Sequence, residues 1–198
     1  MSKLQKMTSI SIMASCSLVL YYFKFPLPIF PAFLTLDLSD IPALISAITL
    51  GPAAGILVQF IKNILEYVLH GSYVGFPVGQ TANFLSGSLM VGLIGFFYHA
   101  KKTITWKSIT LSIVLFLTAM YALNYFFILP AIMNLLGLSA EQYTASFTPF
   151  NPLVQNMETA VLFIIVPFNL VKITLVYSIG IPFAVKLQGI LHKRRLVL

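Results

Sequence analysis

Charge is scarce in this 198-residue chain, and acidic charge scarcest: charged residues are 9% of the whole, 12 Lys and Arg against five Asp and Glu. A sequence that is 59% hydrophobic with so few charges is written for hydrocarbon, where an unpartnered charge or backbone group costs several kcal/mol. Cysteine is nearly absent, and Cys16 alone excludes an intramolecular disulfide and a cysteine metal cluster. The three histidines, His70, His99 and His192, stand at segment ends on both sides, which builds no metal site. The phosphate-binding pattern GxxxxGK[ST] is missing, so the chain does not hydrolyse ATP by that route. With no Ser/His/Asp arrangement and no carboxylate pair inside a segment, an enzyme is the disfavoured class.

What is present reads as an all-α membrane protein forming one integral domain over 1–198. At about 20 residues per span the length holds five to seven crossings, and the hydrophobic segments resolve into six. Lys3, Lys6, Lys101, Lys102, Lys107, Lys193, Arg194 and Arg195 flank those segments. By the positive-inside rule they place both termini in the cytoplasm. The five acids, Asp37, Asp40, Glu66, Glu141 and Glu158, fall at or near the opposite ends.

The segments are expected at about 7–23, from Ser39 or Asp40 to Gly51, 53–69, 80–98, 109–136 and 156–191. Cys16, inside the first, reads as packing. Between the first two lies a connection with Pro26, Pro28 and Pro31, almost wholly apolar; the prolines forbid a helix there, and so apolar an outward loop must pack on something. The third segment carries Gln59, Lys62, Asn63, Glu66 and His70 along one helical face, with Lys62 and Glu66 at i and i+4. In the fourth, Gln80, Asn83 and Gly87 share a face, and Ser88 and Gly92 form a small pair suited to close packing. Gly71–Gly79 is expected as an outer turn, Pro130 as a kink in the fifth segment, and 137–155 as the longest outer connection.

Lys172 is the leading functional candidate. It lies about 15 residues into the sixth segment, some 20 Å of helix from the outer end, so its charge must face a partner or a wet cavity. Ligand contact is expected over a purely structural ion pair, for which Glu66 is the obvious partner, and Asn169 sits one turn away on the same face. Asn124, Gln80 and Asn83 are uncharged amides at similar depth. There is no internal repeat of the kind that marks inverted-repeat carriers.

Read together, Leu36-Asp37-Leu38-Ser39-Asp40-Ile41-Pro42-Ala43, Gly51-Pro52-Ala53-Ala54-Gly55, Ile61-Lys62-Asn63, Gly75–Phe84, Leu123-Asn124-Tyr125 and Pro167-Phe168-Asn169-Leu170-Val171-Lys172 resemble the riboflavin-specific substrate-binding (S) components of energy-coupling-factor transporters. The resemblance implies six helices in a bacterial plasma membrane, a riboflavin site opening outward, no cofactor, and a lid between the first two helices. It also implies a complex with a membrane coupling subunit and two cytoplasmic ATPases, which complements the missing phosphate loop. The expected ligand set is Lys172, Asn169, Asn124, Asp40, Leu36, Thr35, Gln80 and Asn83. Where the family carries an AxxxA docking pair on its first helix, this chain has Ser11 and Ser15. The competing function is a stand-alone ion-coupled vitamin permease.

Overall fold

A computed structural model describes residues 2–72 and 76–197, with backbone alone for 191–197. Tyr73, Val74 and Gly75 of the expected outer turn and the side chains of His192, Lys193, Arg194 and Arg195 lie outside the described residues.

The chain is mostly helical. α1 is Lys3–Tyr21, opened by a capping box in which Ser2 and Gln5 satisfy each other's backbone donors. A pair of two-residue antiparallel strands, β1 Phe25–Pro26 against β2 Thr35–Leu36, folds the proline-rich connection. α2 is Asp40–Leu50, α3 Pro52–His70 and α4 Val78–Lys101. α5 spans Trp106–Leu136 and contains a π-helical turn at Asn124–Ile128. α6 is the short Ala140–Ala145 within the long connection. α7 begins at Met157–Ala160, passes through a second π-helical turn at Val161–Ile165 and continues as Val166–Val197.

Among the described residues four helices, α3, α4, α5 and α7, are long and apolar enough to cross a membrane. α1 has 19 residues, diluted by serines and two lysines, and α2 has 11, about 16 Å at the α-helical rise. α3 reveals the solvent its outer face is built for. Gln59, Lys62, Asn63 and Glu66 are buried, while Ile56, Leu57, Phe60, Ile64 and Val68 point out of the bundle. That is the reverse of a water-soluble amphipathic helix.

α2 is the axis around which the rest packs. Asp40 and every residue from Pro42 to Ile48 are buried, and α1, α3, α4 and α7 all contact it. Gly51 alone links α2 to α3, at φ 114°, a region open to glycine. The two helices then approach so closely that a Cβ on Gly55 would stand 2.6 Å from Ala47 Cβ and 2.7 Å from the Ala43 carbonyl oxygen. This contact is tighter than the one at the Ser88 and Gly92 pair, where a Cβ on Gly92 would meet Ile56 only at 3.5 Å. Polar ties bind neighbours, with the Tyr177 hydroxyl donating to the Met90 carbonyl at 2.7 Å and His99 Nε2 3.1 Å from the Ile48 carbonyl oxygen.

Two apolar clusters divide the molecule. One surrounds α2 with Met90, Val91, Ile94, Phe116, Ile173 and Val176. The other joins Phe30 and Leu36 of the first connection to Tyr143, Phe147 and Val154 of the second and to Ile164 and Phe168 of α7. Aromatic edges hold this second cluster, Phe30 on Phe168 at 5.4 Å and Phe33 on Phe147 at 5.7 Å between centroids. The apolar loop packs through Phe30 and Leu36, with Leu27 and Leu34 partly buried, while Phe25, Ile29 and Phe33 stay exposed.

Several sequence expectations need correction. Helix ends extend past their expected limits, at Lys3, Val78, Lys101, Trp106 and Val197. Cys16 is exposed on α1 and fills no interior space. The irregularity expected at Pro130 takes the form of a π-helical turn just before it, matched by another just before Pro167. Each wide turn relieves the backbone where a proline ring would meet the preceding turn. Ser39 occupies the N-cap position of α2, but its hydroxyl makes no capping bond.

Candidate functional site

The cluster of buried polar groups forms where the first connection enters the bundle. Asp37, Ser39 and Asp40 are all buried, at 1%, 0% and 0% exposure. The Asp37 carboxylate accepts from the Ser39 backbone N–H at 2.8 Å and from the Ser39 hydroxyl, closing a local turn of the Asx type. That turn delivers Asp40 into the first turn of α2, where the helix dipole favours an anion.

Asp40 is the hub. Its Oδ1 lies 3.0 Å from Lys62 Nζ of α3 and accepts from Gln59 Nε2 at 2.7 Å; its Oδ2 lies 3.0 Å from Lys172 Nζ of α7. Lys62 Nζ also donates to Ser39 Oγ at 2.9 Å and to Asn83 Oδ1 of α4 at 3.0 Å. Asp37 Oδ2 stands 3.9 Å from Lys172. Two ammonium and two carboxylate groups therefore balance; the Asp40 carboxylate ties α2 to α3 and α7, and Lys62 extends the network to α4. Charges this deep persist only when paired and hydrogen-bonded. Packing reinforces the geometry, since a Cβ on Gly87 would fall 2.5 Å from the Gln59 amide.

Here the partnerships differ from those expected. Among the described residues no ion pair joins Glu66 to Lys62 or Lys172; Asp40 takes both lysines. Sequence reading also placed no carboxylate pair inside the bundle, whereas the inward-folding loop puts Asp37 and Asp40 there. Gln59 and Ser39 complete a network whose sequence signal was the shared face of Gln59, Lys62 and Asn63 and the three-residue spacing of the two aspartates.

Asn124 and Asn169 are buried beside the two π-helical turns, which pack against each other. Each amide donates to its own helix, Asn124 Nδ2 to the Met120 carbonyl at 2.8 Å and Asn169 Nδ2 to the Ile165 carbonyl at 2.9 Å. Those bonds fix both side chains. Leu36 is buried in the outer apolar cluster, and Thr35, half-buried, pairs with Pro26 in the hairpin. Gln80 stands apart, donating to the Gly71 carbonyl at 2.9 Å across the α3–α4 turn. Ser11 and Ser15 are exposed on α1, with hydroxyls donating to the Met7 and Ser11 carbonyls at 3.1 and 3.0 Å, so this face is small and satisfied within its own helix.

A buried acid-and-amine hub, joining the start of α2 to α3 and α7 among helices long and apolar enough to cross a membrane, defines a polytopic membrane-protein fold with a charged interior. Residues 5–184 match the family described as the ECF transporter, substrate-specific component, and the chain belongs to that family. It is a transporter component and not an enzyme. It is 38% identical over 184 residues to the riboflavin transporter FmnP of Bacillus subtilis (strain 168), covering 89% of this chain and 90% of that one. It is 32% identical over 175 residues to the riboflavin transporter RibU of Staphylococcus aureus (strain TCH60), covering 87% and 84%. A solved structure described as "Structure and mechanism of the S component of a bacterial ECF transporter" superposes with TM-score 0.74 at 28% identity, over 96% of this chain and 99% of that one.

Proposed function

We propose that this chain captures riboflavin from the outer face of a bacterial plasma membrane as the S component of an ATP-driven uptake complex. What supports the reading is the burial of Asn124, Asn169, Lys172, Asp37 and Asp40 inside an apolar bundle, with Lys172 paired to Asp40, and the apolar, aromatic cluster that the first connection joins through Phe30 and Leu36. An isoalloxazine is flat and aromatic with a hydrogen-bonding edge, which suits apolar walls and a few fixed amides. Its ribityl chain brings hydroxyl donors, and Asp37 Oδ2, Gln59 Oε1 and Glu66 Oε2 are buried acceptors without a hydrogen-bond donor.

In this reading residues 1–198 form one domain of six membrane helices, α1 and the half-length α2 joining the four long ones, with both termini cytoplasmic. Residues 26–40 act as the lid. A coupling subunit docks on the Ser11/Ser15 face, and two cytoplasmic ATPases supply the energy.

Calorimetry of the purified protein with riboflavin tests the assignment. One-to-one binding is expected, and Lys172→Ala and Asn169→Ala should each lose about 1 to 3 kcal/mol, from several-fold to more than a hundredfold in affinity. No riboflavin binding by wild type overturns the substrate; unchanged affinity in both folded variants overturns the edge contacts. Uptake by the isolated chain in liposomes lacking ATPases would establish an ion-coupled permease instead.

A further inference from the structure

At the end of the bundle where α4 passes into α5, a groove of about 850 Å³ opens between that turn and α7. Its walls include Ile109, Ile181, Pro182 and Val185, and its rim carries Lys102 and Lys186. Both lysines are exposed, as are Lys101 and Lys107 nearby, and among the described residues none of the four has an ion-pair partner. All five acids of the chain lie elsewhere, in the first connection, at the start of α2, in α3, in α6 and at the start of α7. Trp106 also lines the groove and is 83% exposed, the placement of an indole at a membrane–water interface.

An apolar trough crowned by uncompensated ammonium groups matches a molecule with an anionic head and hydrocarbon tails. A soluble anion would use only the rim, and a zwitterionic lipid would bring its own cation to it. We propose that this groove is a binding site for one anionic glycerophospholipid, its phosphate held by Lys102 and Lys186 and its acyl chains laid along Ile109, Ile181, Pro182 and Val185. The site is separate from the Asp40 hub and does not depend on which ligand that hub takes.

The full chain in nanodiscs of phosphatidylcholine with increasing phosphatidylglycerol, read by native mass spectrometry for retained lipid, tests the proposal. Two lysines near an anionic headgroup are worth on the order of 30-fold in preference. Wild type should retain one phosphatidylglycerol with that preference. Lys102→Gln with Lys186→Gln should abolish it while melting like wild type in pure phosphatidylcholine. Lys101→Gln with Lys107→Gln, which removes the same charge outside the groove lining, should keep it. Equal retention of both lipids by wild type overturns the site, and so does preference surviving the Lys102/Lys186 change. Equal loss in both double variants reduces the effect to diffuse charge and overturns it too. Displacement of the lipid by soluble glycerol phosphate would reassign the rim to a free phosphate anion.

Discussion

Replacing Asp40 with asparagine keeps the shape of the hub and removes its charge. Asp40 faces Lys62 and Lys172, each at 3.0 Å, and accepts from Gln59 at 2.7 Å. In Asp40→Asn two buried ammonium groups are left with Asp37, 3.9 Å from Lys172, as the one carboxylate within 4 Å of either among the described residues. Breaking a buried pair costs about 3 to 5 kcal/mol, which in a chain of this size lowers the melting midpoint by on the order of 10 °C. The charge count predicts a rescue. Adding Lys62→Met leaves one lysine against one aspartate, so Asp40→Asn with Lys62→Met should melt above Asp40→Asn alone, although it carries one more substitution. Thermal unfolding of wild type, both single variants and the double variant in one detergent gives the full cycle. A midpoint shift under about 2 °C in Asp40→Asn, or a double variant less stable than it, would show that the hub is not held by charge balance.

Ser11→Trp with Ser15→Trp should leave riboflavin binding intact but abolish co-purification with a coupling complex and ATP-driven uptake, because bulk on a small-residue face blocks helix approach; full uptake by this variant refutes the docking face. Hydrogen exchange with and without riboflavin should show stronger protection of residues 26–40 when ligand is present, as a closing lid requires, and equal protection in the two states counts against it.

The helices were legible because their signals are local. Apolar runs bounded by lysines, Gly51-Pro52 between α2 and α3, and the prolines of the first connection each act within a few residues of themselves. Lys172, Asn169 and Asn124 were legible as candidates because a polar group deep in an apolar helix stands out against its own neighbours. The partnerships were not, because they are set by the fold of the first connection. Glu66 is four residues from Lys62, yet Asp40, 22 residues away, takes the lysine, since the turn at Asp37 and Ser39 carries the start of α2 down between α3 and α7. Cys16 was misread for a related reason: in a bilayer an apolar side chain gains little by facing inward, so hydrophobicity alone does not say which way it points.

The paired π-helical turns have a further meaning for how such a bundle can change. Each holds one residue more than a regular turn would need, and a single residue corresponds to about 100° of rotation about the helix axis. Val161–Ile165 is thus a phase shifter, separating the rotational setting of the start of α7 from that of Asn169 and Lys172 further along it. Asn124–Ile128 does the same for the C-terminal end of α5. The connections that join these helix ends can therefore follow one angular register while the hub and the helix-packing core keep another, and the two can diverge in sequence without dragging each other out of alignment.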